Sequence, residues 1–148
     1  MKIKLSLFFL FVLLAAVGLR VFGLNYGLPY LSHPDEARVI LDTLSMGHRS
    51  SILPARPDYA LIYRYLLLFV YGIYYLLGKL FHLFSGPYDL ALKFLLNPTG
   101  IYLASRLVSV TFGVLTGVSA YLIGRDIFKS KEAGMVSLVF VLFEFQLF

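Results

Sequence analysis

Apolar residues along this chain come in long unbroken blocks, separated by short segments that hold almost all of the charge. Leu5 to Leu19 is apolar apart from Ser6, and continuing through Arg20 to Leu24 gives about twenty residues. That is the length a helix needs to cross a hydrocarbon core of about 30 Å at 1.5 Å per residue. Arg20, near the end of the block, can extend its side chain to the headgroups. Leu107 to Gly124 is a second block, eighteen residues without a charge, and a third begins at Ala133 and still runs at Phe148. The pattern predicts an all-α, polytopic membrane protein, with one span over 5–24 and another over 101–124. Gly134 to Phe148 is about fifteen residues or roughly 22 Å, so 133–148 is expected to be an incomplete span.

Between these blocks the period changes. After Asn25-Tyr26-Gly27-Leu28-Pro29, whose Gly and Pro break regular structure, Ser32 to Asp35 has the form of a helix start. Proline suits the first turn, and Ser32 with Asp35 fits a capping box. Ala37, Ile40, Leu41 and Leu44 then recur at i, i+3, i+4 and i+7, with Arg38, Asp42 and Ser45 opposite, which predicts an amphipathic surface helix ending at Gly47. Residues 59–84 are ambiguous. Arg64 and Lys79 bracket an uncharged run from Tyr65 to Gly78 that covers about 21 Å, short of the core. The tyrosines in and beside it favour the membrane interface. Ser85 to Gly100, with Gly86-Pro87 and Asn97-Pro98, is expected to be loop with one helical turn at most.

Composition and charge add sidedness. Of the residues, 59% are hydrophobic and only 14% charged, with mean hydropathy +0.82, beyond what a soluble domain carries. The net charge of +5 lies in short segments beside the apolar blocks, which points to anionic lipid and membrane orientation rather than to nucleic acid. No cysteine is present, so disulfides and thiolate metal sites are excluded. A cleaved signal peptide would also place Lys2 and Lys4 before an apolar run, but this run is long for one. Lys2 and Lys4 put the N-terminus in the cytoplasm, and Arg125, Lys129 and Lys131 put the connector 125–132 there too. An odd number of crossings must then separate the loop holding Asp35 from that connector. The expected organisation has 25–100 as an external loop with surface helices, 59–84 lying on or dipping into the outer surface. The alternative has 59–84 spanning, against the positive-inside pattern.

Few residues here can carry chemistry. Asp35 and Glu36 are adjacent carboxylates at a helix start, where acids also compensate the helix dipole. Such a carboxylate could take a proton from an acceptor hydroxyl. Together with His33 the pair could also hold a divalent metal ion. Arg106 opens an uncharged block, either as an interfacial arginine or as a bidentate phosphate ligand. Arg56, Arg64 and Lys79 could serve a lipid phosphate in the same way. A transporter with Asp35 and Arg106 beside a solute path, or a small membrane protein with no activity, would share these features.

Several local patterns in order carry a resemblance. Gly23-Leu24-Asn25-Tyr26-Gly27-Leu28-Pro29 precedes His33-Pro34-Asp35-Glu36-Ala37, then comes Asn97-Pro98-Thr99. Arg106-Leu107-Val108-Ser109-Val110 and Phe112-Gly113-Val114-Leu115-Thr116 follow, closed by Leu122-Ile123-Gly124-Arg125 and Ile127-Phe128. Nearly the whole chain thus resembles the N-terminal part of the GT-C superfamily of polytopic glycosyltransferases. The nearest branch is the dolichyl-phosphate-mannose–protein mannosyltransferases and their bacterial polyprenyl-phosphate-sugar relatives. The resemblance implies a polyprenyl-phosphate-sugar donor, transfer to an acceptor hydroxyl on the extracytoplasmic face of the cell membrane, and inversion at the anomeric carbon. It implies Asp35 as general base and Glu36 as its assistant or as a metal ligand; His33, Arg56 and Arg106 stand beside them as candidate substrate contacts read from their own chemistry. Where the family commonly shows a Pro-Pro-Leu-type motif, this chain has Arg56-Pro57-Asp58-Tyr59-Ala60-Leu61. The family's later external loop, with its own acidic site, is expected to lie beyond residue 148, so these residues are expected to hold half a catalytic centre and to be inactive alone.

Overall fold

A computed structural model describes residues 2–29, 34–49, 53–54 and 61–143, with side chains from Leu7 onward. All regular structure among the described residues is helical. α1 spans Lys2–Phe22 and closes in a 3-10 turn at Gly23–Asn25; α2 spans Pro34–Arg49, α3 Leu61–Leu80, α4 Pro87–Leu96, α5 Thr99–Phe128 and α6 Lys131–Phe143. Three of these stretches, Leu7–Asn25, Leu61–Leu80 and Thr99–Phe128, are long and apolar enough to cross a membrane. Two compact units are formed, one from Met1–Leu24 with Leu107–Phe148 and the other from Asn25–Arg106.

In the first unit, Val12 and Ala16 of α1 pack on Met135, Leu138 and Leu142 of α6. Phe9 meets the Tyr121 ring of α5 at 4.8 Å, tilted by 59°. α5 and α6 form a close hairpin. A side chain at Gly134 would come within 2.8 Å of the Tyr121 carbonyl, and one at Gly124 within 3.3 Å of the Ala133 carbonyl. The turn is short because Lys129 takes a left-handed φ of 51°. Ser130 then caps α6, its Oγ accepting from the Ala133 N–H at 3.2 Å, which satisfies an orphan donor of the first turn. The expected connector 125–132 thus shrinks to two residues, with Arg125 and Asp126 inside α5.

The second unit holds α2, α3, α4 and the start of α5. α4 corrects the expectation of a loop over 85–100. Pro87 occupies the first turn, where its missing N–H costs nothing. The Ser85 N–H donates to Asp89 Oδ2 at 2.9 Å, and Asn97 Oδ1 accepts from the Thr99 N–H at 3.1 Å to start α5. The Gly-Pro and Asn-Pro pairs mark helix starts here, not a continuous loop. α3 is longer than its uncharged run, twenty residues or about 30 Å. Lys79 sits in its last turn, where a cation complements the helix dipole. A Schellman turn ends it, with His82 N–H on Lys79 O at 3.1 Å and Leu83 N–H on Gly78 O at 2.7 Å.

Arg64 explains why the other flanking charge does not stop α3. It is fully buried, and its Nη2 lies 3.1 Å from Asp42 Oδ2 of α2. A charge inside an apolar setting needs such a partner. This also corrects the orientation of α2. Its buried residues are Ile40, Thr43 and Met46, while Leu41 is exposed. Asp42 turns toward α3 rather than away from it. Periodicity alone assigned the polar stripe to the outside, because the cation that draws Asp42 inward stands on another helix.

Candidate functional site

The site grows from the first turn of α2. Pro34 opens the helix and Asp35 and Glu36 follow it, where the unpaired N–H groups of a helix start favour carboxylates. Consecutive residues on a helix are separated by about 100°, so the two carboxylates face different ways. Asp35 lies on the exposed side. Glu36 turns inward and meets Arg106 of α5. Arg106 Nε donates to Glu36 Oε1 at 2.7 Å and its Nη2 to Oε2 at 2.8 Å. This is the fork-to-carboxylate geometry in which arginine is strongest. The third guanidinium nitrogen, Nη1, donates to the Tyr26 carbonyl at 2.8 Å. One side chain thereby fixes the segment after Asn25, the start of α2 and the first turns of α5.

A buried polar layer adjoins this fork. Tyr102, one turn before Arg106, is fully buried and its ring stacks with Phe94 at 6.4 Å. Ser105 donates to the Ile101 carbonyl at 2.9 Å, and its oxygen lies 2.6 Å from the Tyr71 hydroxyl of α3. With the one serine proton committed to Ile101, Tyr71 is the donor. α3 and α5 are held in register by this bond and by close contact of Tyr74 with Gly100.

The chain matches no protein-family model, no curated protein and no solved structure. The site is therefore read from its own geometry.

Of the predicted site residues, the structure brings Glu36 and Arg106 together and sets Asp35 beside them; His33 and Arg56 lie outside the described residues. The two-nitrogen edge with which Arg106 would read a phosphate is occupied by Glu36, so a phosphate there would have to displace an internal carboxylate. Among the described residues, no three His, Asp or Glu side chains converge on a point that would hold a metal ion. Sequence reasoning missed Tyr71 and Ser105, which carry no signal beyond an interfacial tyrosine and a small polar residue. It also missed the Asp42–Arg64 pair. A signal for that pair existed, since an arginine inside an apolar helix calls for a carboxylate elsewhere.

Proposed function

We propose that this protein is a multi-pass membrane glycosyltransferase of the GT-C type. It transfers a sugar from a polyprenyl-phosphate donor to an acceptor hydroxyl on the extracytoplasmic face, with its N-terminus in the cytoplasm. The ordered motifs described above support the reading, and one observation of the site carries it further. Glu36 is committed to Arg106 through two charge-assisted hydrogen bonds, while its neighbour Asp35 is exposed on the same helical turn. On this reading the two carboxylates differ in role. Glu36 and Arg106 position the turn, and Asp35 receives the proton of the acceptor hydroxyl. The acceptor oxygen then forms its bond to the anomeric carbon as the bond to phosphate breaks, and the polyprenyl phosphate leaves with the electron pair. A phosphate is a good leaving group, so the protein has to supply position and removal of one proton.

Transfer of a radiolabelled sugar from a polyprenyl-phosphate donor, in membranes carrying the full-length protein, tests this. Asp35→Asn should lower turnover by about 10²–10⁴-fold, the range a general base contributes, with membrane insertion unchanged. Arg106→Lys, which cannot form the fork, should lower kcat by roughly tenfold and leave KM for the donor nearly unchanged, because its partner is Glu36 rather than substrate phosphate. Normal turnover by Asp35→Asn would remove the assignment.

A further inference from the structure

α2, α3 and the start of α5 belong to one unit, and each pair of these helices is joined by a polar link. Arg64 Nη2 of α3 lies 3.1 Å from Asp42 Oδ2 of α2. The Tyr71 hydroxyl of α3 donates to Ser105 Oγ of α5 at 2.6 Å. Arg106 of α5 returns to Glu36 of α2 through its fork, at 2.7 and 2.8 Å. The helical segments between the links match in length. Glu36 to Asp42 is a step of six residues and Arg64 to Tyr71 one of seven, about 9 Å and about 10 Å of helix. Ser105 and Arg106 are neighbours in sequence, so both legs end at one place on α5. The three links and the segments between them form a closed triangle.

The links are withdrawn from water, since Arg64, Tyr71 and Ser105 are all buried. A buried polar group that loses its partner has no water to replace it, and a network of such bonds stiffens the elements that it joins. The corner shared by α2 and α5 carries Asp35, one residue before Glu36. Tyr71 is buried with its hydroxyl on Ser105, so it does not touch a molecule bound at the exposed Asp35. The Arg64 guanidinium is held at Asp42, seven residues from Asp35 or about 10 Å along α2. Both act on the Asp35 turn only through the triangle.

We infer that Tyr71 is a positioning residue for Asp35, because its bond to Ser105 closes the triangle whose corner holds the Asp35 turn. With that link open, α3 is held to α5 by packing alone, and the corner gains freedom without losing any group that meets substrate. Proton removal by a fixed base is sensitive to such freedom, since a misplacement of about 1 Å arising far from the chemistry can cost on the order of 100-fold. The chemistry at Asp35 rests on the transferase reading above; the triangle does not.

Tyr71→Phe removes one oxygen and keeps the aromatic packing, and Ser105 keeps its bond to the Ile101 carbonyl, so the thermal midpoint in detergent should change little. In membranes carrying the full-length protein, kcat should fall about tenfold, with KM for the polyprenyl-phosphate-sugar donor nearly unchanged. Ser105→Ala opens the same link, so the double variant should be no slower than either single one. A second measurement needs no turnover. The chain has no cysteine, so nitroxides can be placed uniquely at Leu41→Cys of α2 and Leu95→Cys of α4, both exposed. Phe94 of α4 stacks with Tyr102 of α5 at 6.4 Å, which makes α4 a marker for the start of α5. The distribution of distances between the two labels should broaden with Tyr71→Phe. An unbroadened distribution, additive losses in the double variant, or a raised KM that accounts for the lost turnover would overturn the inference. If the unaltered protein transfers no sugar, the transferase reading fails, and a broadened distribution still supports the triangle.

Discussion

The guanidinium of Arg106 spends its planar edge on Glu36 and its remaining nitrogen on the Tyr26 carbonyl, so that one side chain ties three segments together. A lysine there would supply charge without the fork. A different residue-scale feature ends α3. His82 takes φ 57° at the turn, a left-handed conformation that costs a non-glycine residue about 1 kcal/mol or more. Gly78 is required close by, since a side chain on it would run into the buried ring of Phe84. His82→Gly should therefore raise stability by roughly 0.5 kcal/mol after the added freedom of glycine in the unfolded chain is set against the relieved strain. Thermal unfolding in detergent micelles measures this, and an unchanged or lower midpoint would show that the histidine carries no net strain.

At the scale of elements, α2 and α3 are joined by the Asp42–Arg64 pair inside an otherwise apolar contact. Removing one partner leaves the other charge buried, which costs about 3–5 kcal/mol, whereas replacing both by apolar residues of similar size is often neutral. Asp42→Asn and Arg64→Met should each lower the unfolding midpoint, and the double replacement Asp42→Leu with Arg64→Met should recover most of the loss. Additive losses would mean that the pair is not coupled. The start of α4 responds to pH. The Ser85 N–H, and secondarily Lys93, hold the Asp89 carboxyl below its usual range. A carboxyl with a depressed folded-state pKa stabilises the fold above its unfolded value, and this contribution is lost as pH falls through the folded value. Protection from hydrogen exchange at the first turn of α4, taken relative to the intrinsic rate at each pH, should therefore fall at acid pH, below about 4, and Asp89→Asn should show reduced protection at every pH. Protection that does not respond to pH would show that the Ser85 contact contributes little.

At the scale of the whole molecule, exposed large apolar side chains occur on every helix, among them Phe11 of α1, Phe69 of α3, Leu95 of α4, Leu115 of α5 and Phe140 of α6. Patches of this extent are not tolerated in water by a monomeric soluble protein. With lipid as the solvent, the protein should stay in the membrane pellet under alkaline carbonate and be released only by detergent. Release by carbonate alone would contradict the membrane assignment. The sequence by itself determined the helical character and the limits of most helices. The uncharged length of α5, the proline starts of α2 and α4 and the serine cap of α6 all act through neighbours within a turn or two. The tertiary structure decided that Glu36 meets Arg106, which face of α2 is buried, and how α3 is registered against α5. Each of these depends on partners far apart in the chain, 70 residues for Glu36 and Arg106 and 34 for Tyr71 and Ser105. Local periodicity fixes which residues share a helix face, but a buried charge or hydroxyl turns toward whatever partner packing brings to it.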